Sequence, residues 1–167
     1  MTDENTKNRD VSRRTLVKGA AWSVPIIAAA VATPLAAASF TDVGAFALRG
    51  NCGVLGVLGP GFTLQAGPTA PLPVGTTVTI VGSGIANIGA FGATGGTANI
   101  AVLSGTSRLI TLTAELPAGA TIAYRTTLSI SVAFQLNAVA TLPTGYSGSS
   151  AKTGASVSST LILCSGT

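Results

Sequence analysis

Apolar and polar side chains alternate most clearly over residues 122–140. Most of the large apolar residues of this run fall on one parity, and polar residues dominate the other. The first set is Ile122, Tyr124, Leu128, Ile130, Val132, Phe134 and Leu136, and the second includes Arg125, Thr127, Ser129, Ser131, Gln135 and Asn137. This alternation predicts a half-buried sheet with one solvent-facing side. A single strand of this length would span about 60 Å, so we expect a bulge, bend or turn near residues 129–133.

Several shorter runs also have the composition of strands. One run, 74–81, places Val74, Val78 and Ile80 on one side, and others cover residues 108–113 and 156–164. Turn signals rich in Gly and Pro separate them, at 59–61, 67–68, 82–84, 95–96, 117–119 and 143–145. The pattern predicts an all-β domain over residues 39–167, an antiparallel sandwich of about seven to nine strands, immunoglobulin-like or similar. The core tryptophan of antibody domains has no counterpart, because the only one, Trp22, precedes this region.

Residues 1–38 have a different pattern, which is typical of a secretory signal peptide. A mostly polar and charged region of eighteen residues comes first, then a modestly apolar stretch over 19–31 that we expect to be helical, then small residues up to Ala38. This is the order of the three regions of a signal sequence. Signal peptidase requires small side chains at the positions that Ala36 and Ala38 occupy, so we expect cleavage between Ala38 and Ser39.

The export route is indicated by five residues of the charged region. Ser12, Arg13, Arg14 and Lys18 match the twin-arginine signal, Ser/Thr-Arg-Arg-x-Phe-Leu-Lys, and Leu16 is an apolar substitute for its Phe. This resemblance implies transport in the folded state, with the twin-arginine translocase and signal peptidase as partners during export.

The chain as a whole resembles small exported proteins of high-GC Gram-positive bacteria, in which such a leader precedes a β domain rich in Gly, Thr and Val. The resemblance implies a secreted or cell-surface location, and it brings no ligand or activity with it. An uncleaved membrane anchor over residues 19–38 is the alternative, because a span needs about 20 apolar residues. That stretch contains two prolines and is mostly alanine.

Two cysteines, Cys52 and Cys164, lie close to the two ends of the predicted domain. Disulfides persist in the oxidising compartments that an exported protein reaches, and an even count fits a bridge between them. Two unpaired buried thiols are the alternative. The chain contains no histidine, so we predict no metal site.

Residues suited to catalysis are scarce after residue 38. The only carboxylates there are Asp42 and Glu115, and with no histidine a Ser-His-Asp triad is impossible. A Ser-Lys pair would need Lys152 beside Ser149 or Ser150, in a loop that offers no apolar burial to lower the lysine pKa. We therefore predict no catalytic residues and no cofactor.

The charge of the chain does not indicate a polyanionic partner. Five of its nine basic residues precede residue 19, and the other four are scattered, so we predict no nucleic-acid binding. A sparsely charged sandwich with exposed edge strands favours association with a second copy or an envelope partner. The predicted function is that of an exported, non-catalytic structural or interaction domain. A small-ligand carrier or an unrecognised secreted enzyme is the alternative.

Overall fold

The computed structural model describes residues 39–54, 58–129, 132–161 and 163–167. Ser39 is exposed at the start of this region, and Ser39–Thr167 forms one unit. The other predicted signal and cleavage residues lie outside the described residues; they are Ser12, Arg13, Arg14, Leu16, Lys18, Ala36 and Ala38. Within the described ranges, no helix has the length and apolar character needed to cross a membrane.

The described part of the chain is built from strands. In chain order they are β1 Thr41–Asp42, β2 Ala47–Asn51, β3 Gly61–Gln65, β4 Thr77–Ser83, β5 Phe91–Thr94, β6 Ala98–Ser104, β7 Ser107–Leu112, β8 Thr121–Thr126, β9 Phe134–Thr141, β10 Tyr146–Ser147, β11 Gly154–Ser159 and β12 Cys164–Gly166. Most of them alternate between buried and more exposed residues, as expected for strands that face a core on one side only.

Two sheets make up the sandwich, and all strands within them are antiparallel. The larger sheet has six strands in the order β12-β11-β9-β4-β7-β6, and the smaller has four in the order β2-β3-β8-β5. Strands β1 and β10 form a short parallel pair beside them. The predicted all-β antiparallel sandwich is confirmed.

The strands of the two main sheets number ten, more than the seven to nine expected, because several are short and contain glycine. Gly61 begins β3, and Gly82, predicted to begin a turn, lies inside β4. A Cβ atom added to Gly61 would lie 1.9 Å from the Tyr124 carbonyl oxygen on the neighbouring strand. Glycine here allows two strands to approach closely, and the same residue type in sequence indicates a turn.

The long alternating run is interrupted where the sequence predicted. Strand β8 ends at Thr126 and β9 begins at Phe134, and the two strands belong to different sheets. The interruption therefore carries the chain across the sandwich. Val132, which has the parity of the core residues, is 43% exposed because it lies in this crossing segment.

The core lies between the two sheets. The smaller sheet contributes Phe62, Leu64 and Tyr124, and the larger contributes Ile80 and Leu136, all fully buried. Val74 was expected on the same buried face as Val78 and Ile80, and that expectation is wrong. It precedes β4 and is 55% exposed, and a turn with Gly75 at φ 87° separates it from the strand.

Candidate interaction surface

One lateral side of the sandwich is closed by a covalent link between the sheets. Cys52 directly follows β2 of the smaller sheet, and Cys164 begins β12 of the larger sheet. Their sulfur atoms form a disulfide, with the two Cα atoms 5.8 Å apart. The predicted pairing of Cys52 with Cys164 is confirmed.

Backbone hydrogen bonds close the same side along the length of β2. The Leu48 and Gly50 amides donate to the carbonyls of Lys152 and Thr167, at 2.7 and 2.6 Å. The Lys152 amide donates in turn to the Phe46 carbonyl at 2.9 Å. The outward amides of β2 are thus bonded to the chain that leads into and out of β11 and β12. We call this side of the sandwich the closed side.

Gly50 is the residue that allows this approach. A Cβ atom at position 50 would lie 2.1 Å from the Ser156 carbonyl oxygen and 2.9 Å from a methyl carbon of Val157. Contacts this short with backbone atoms cannot be relieved by rotating a side chain. The closed side therefore depends on the absence of a side chain at position 50.

The opposite side of the larger sheet ends at β6, and its outer edge is open. Among the described strands β6 pairs only with β7, on its inner edge. Val102 and Leu103 are 69% and 58% exposed, and no residue of β6 is charged. An uncharged, exposed edge strand is a template for pairing with another strand. We call residues 98–104 the β6 edge.

The outer face of the larger sheet carries no charge. Strand register and alternation place seventeen residues on this face, here called the neutral face: Thr77, Thr79, Val81, Ser83, Asn99, Ala101, Ser107, Leu109, Thr111, Gln135, Asn137, Val139, Thr141, Gly154, Ser156, Ser158 and Ser165. Threonines at 141, 77 and 111 stand side by side on three adjacent strands. The neutral face continues to the β6 edge through Asn99 and Ala101.

The outer face of the smaller sheet differs in charge. It carries Arg49 on β2 and Arg125 on β8, and its other residues are uncharged. Burial lowers the pKa of Arg125, and its guanidinium donates to the Asn51 carbonyl at 3.4 Å. Two arginines on one small face are too few for a basic stripe of the kind that binds nucleic acid.

A third arginine, Arg108, has a structural role. It is 5% exposed and lies near the β6–β7 turn, where its guanidinium donates to the Ser107 and Gly89 carbonyls at 2.9 and 2.7 Å. It also donates to the Ser104 carbonyl and to Asn87. These bonds join the turn after β6 to the segment before β5, so Arg108 fixes the end of the β6 edge.

Asp42 and Ser149, 107 residues apart in sequence, meet at the surface. The Asp42 carboxylate accepts from the Ser149 amide and the Gly44 amide, each at 2.9 Å, and from the Ser149 hydroxyl. Hydrogen bonds from Ser149, and then from Gly44, lower the pKa of Asp42. Ser149, considered above as a partner for Lys152, is thus bonded to Asp42, and this contact holds the loop before β11.

Tyr124 places a hydroxyl in the core without a bonding partner. The side chain is fully buried, and among the described residues no group lies within hydrogen-bond distance of the hydroxyl. Burial raises the pKa of Tyr124 well above its usual range. Orphaned buried hydroxyls are uncommon and costly in folded proteins.

The described residues contain no group of three or more His, Cys, Asp or Glu side chains suited to holding a metal ion.

No family model matches this chain, and no curated protein is significantly similar to it. The sequence did not identify β6 as a strand, although its run of small and apolar residues, Ala98 to Leu103, was the available signal. The β6 edge with the adjoining neutral face is the candidate functional surface.

Proposed function

We propose that this protein is an exported, non-catalytic interaction domain of the cell envelope or the medium, translocated in the folded state by the twin-arginine pathway. The observation that carries the interaction role is the uncharged β6 edge beside the neutral face. Partners recognise such a surface through backbone hydrogen bonds and van der Waals contact, which require no charged side chain. The smaller sheet, with its two arginines, lacks this combination.

A non-catalytic role is supported by where the reactive side chains lie. Asp42 is occupied by the Ser149 and Gly44 hydrogen bonds, and Arg108 is occupied by backbone carbonyls. General acid–base catalysis needs a side chain placed to exchange protons with a substrate. These two groups instead hold loops of the domain together.

An extracytoplasmic location is supported by the disulfide, because such bridges persist in oxidising compartments. The route is a proposal based on the twin-arginine motif. Replacing Arg13 and Arg14 together by lysine keeps the charge of the leader and removes the motif. We expect the precursor of this variant to accumulate inside the cell, as measured by fractionation and immunoblotting.

The matched control for this export test is Lys7→Arg with Arg9→Lys, which exchanges the same residue types in the charged region, keeps its charge and leaves residues 12–18 intact. Export of the twin-lysine variant at the normal rate would contradict the twin-arginine route. The intact mass of the exported protein gives the cleavage site. A chain that begins at Ser39 and gains about two mass units on reduction fits cleavage after Ala38 and one disulfide.

A small-ligand carrier is the second candidate, and the unpartnered Tyr124 hydroxyl favours it. If no ligand binds there, Tyr124→Phe removes an unsatisfied polar group, and stability should rise by about 1 kcal/mol. Native mass spectrometry of the exported protein, compared with the Phe variant, tests the carrier directly. A bound small molecule that is lost in the variant would favour the carrier, and a ligand-free protein in both forms would reject it.

A further inference from the structure

The register of β6 determines which of its backbone groups face outward. The Thr113 amide donates to the Thr97 carbonyl at 3.1 Å, one step before the first paired residues, Ala98 and Leu112. Bonded and non-bonded pairs alternate along an antiparallel ladder. The backbone groups of Asn99 and Ala101 therefore face β7, and those of Ala98, Ile100 and Val102 face outward.

These outward groups have no hydrogen-bond partner among the described residues. The register shifts after Val102, where a bulge at Leu103 interrupts the ladder. Bulges end regular pairing, so the free part of the edge runs from Ala98 to Val102. It presents three amides and three carbonyls with the spacing of an unpaired strand.

The β6 edge differs from the other edges of the two sheets in being unprotected. The β2 edge is bonded through its Leu48 and Gly50 amides, and the disulfide ties it to β12. Strand β5 is only four residues long and contains Gly92, and a short edge strand is a poor template. Charged side chains and prolines, which usually protect an exposed edge, are absent from β6.

We propose that two copies of this chain associate through their β6 edges, antiparallel, about a two-fold axis at Ile100. This register pairs Ile100 with Ile100 of the second copy, and Ala98 with Val102 in both directions. All three pairs are formed by the outward-facing residues, so each pair exchanges two hydrogen bonds. A two-fold axis displaced along the strand would leave some of these groups unpaired.

The side chains fit this register on both faces of the joined sheet. On the core side, small Ala98 lies opposite larger Val102, which is 69% exposed in one copy and becomes covered. On the outer side, Asn99 lies opposite Ala101 in a non-bonded pair, where side chains are closest. No pair brings like charges together, so repulsion does not oppose the contact.

The occupant is a second copy, because the edge is self-complementary and has no charge with which to select a charged partner. Closed two-fold pairs are also the commonest homo-oligomers. Two six-stranded sheets then become one continuous sheet, and their neutral faces form a single uncharged surface of twice the area. This inference rests on the proposed interaction function and specifies its partner.

The register can be tested by crosslinking the exported, disulfide-intact protein. The Asn99→Cys and Ala101→Cys variants are purified separately, each with its introduced cysteine reduced. They are then mixed and oxidised mildly. The proposed pairing places residue 99 of one copy opposite residue 101 of the other. We expect a covalent dimer in the mixture and little in either variant alone, because the identical cysteines are then offset along the strand.

Association itself is measured by sedimentation velocity over a range of concentrations. Val102→Pro removes an outward amide while the β7 ladder is retained, and proline is tolerated where an edge amide faces solvent. The lost amide takes part in two symmetry-related bonds, so the dimer should weaken by at least about tenfold. Val102→Thr retains the amide and serves as the matched control, with unchanged dimerisation.

Two results would overturn the inference. One is a monomer at every concentration tested. The other is a dimer that Val102→Pro leaves unchanged and that crosslinks no better in the mixture than in the single variants. The same experiments distinguish failure of the dimer from failure of the proposed function. If the protein is strictly monomeric but is retained in the envelope fraction, the interaction role stands and self-pairing is rejected. A monomer without any envelope association would count against both.

Discussion

The two lateral sides of this sandwich differ in whether the outward backbone groups of the edge strand have hydrogen-bond partners. On the closed side, the outward amides of β2 are bonded to residues beside β11 and β12, and a disulfide joins the sheets. On the open side, three residues of β6 keep their outward groups free of partners in the described structure. An exposed edge is a liability that proteins usually protect. The proposed self-association would protect the second side as well.

Substitutions on the two sides are expected to affect different properties, stability on the closed side and self-association on the open side. Substitutions on the closed side should change the free energy of unfolding, because they disturb contacts between the two sheets. Substitutions of outward-facing groups on β6 should change self-association and leave the fold of one copy intact.

The largest effect is expected for Cys52→Ser in the exported protein. The disulfide closes a loop with a sequence separation of 112 residues, and its removal should cost about 4–5 kcal/mol in the chain-entropy treatment. The melting temperature should fall by about 10–20 °C, measured by calorimetry. Cys164→Ser should give the same loss, and the double variant no more than either single one. An unchanged melting temperature would mean that the bridge contributes nothing to the closed side.

A smaller but substantial effect is expected for Gly50→Ala. The added methyl group would meet the Ser156 carbonyl oxygen, so β2 must move away from β11, at a cost of about 2–4 kcal/mol. Gly92→Ala is the matched control, since it lies in a strand of the same sheet with no atom within 4 Å of the added carbon. Denaturant unfolding should show a change within about 0.5 kcal/mol for the control. Equal effects of the two substitutions would contradict the close contact at position 50.

The smallest effect is expected from the Asp42–Ser149 contact, and it depends on pH. Because hydrogen bonds lower the pKa of folded Asp42, the carboxylate stabilises the fold above its unfolded pKa of about 3.9. This contribution disappears as the pH falls through the lower, folded pKa. Asp42→Asn should therefore melt below the parent at pH 7, and the difference should shrink as the pH falls below about 3.9. A constant difference between the two proteins from pH 7 to pH 2 would show that the charge of Asp42 does not matter.

The sequence predicted the features that depend on local pattern or on simple counting. Alternation over 122–140 predicted β8, β9 and the interruption between them, and the even cysteine count predicted the disulfide. The β2 and β6 strands were not predicted, because β2 is short and contains glycine, and the β-branched Ile100 and Val102 of β6 stand among small residues. Pairing with a neighbouring strand, and not local propensity, determines their conformation.

The candidate surface was predicted only in general terms. Low charge and exposed strand edges favoured association, but the sequence did not indicate which edge would be left open. That depends on contacts between distant residues, such as the Gly50 amide and the Thr167 carbonyl. Likewise, the meeting of Asp42 with Ser149 across 107 residues follows from the fold and has no local signal.

Hydrogen exchange of individual backbone amides, measured by NMR at low and high protein concentration, tests the contrast between the two sides most directly. The Leu48 and Gly50 amides should be protected at every concentration, because bonds within one copy hold them. The Ala98, Ile100 and Val102 amides should exchange rapidly in dilute protein and become protected as the concentration rises. Rapid exchange at Gly50, or β6 amides whose exchange does not respond to concentration, would contradict the account.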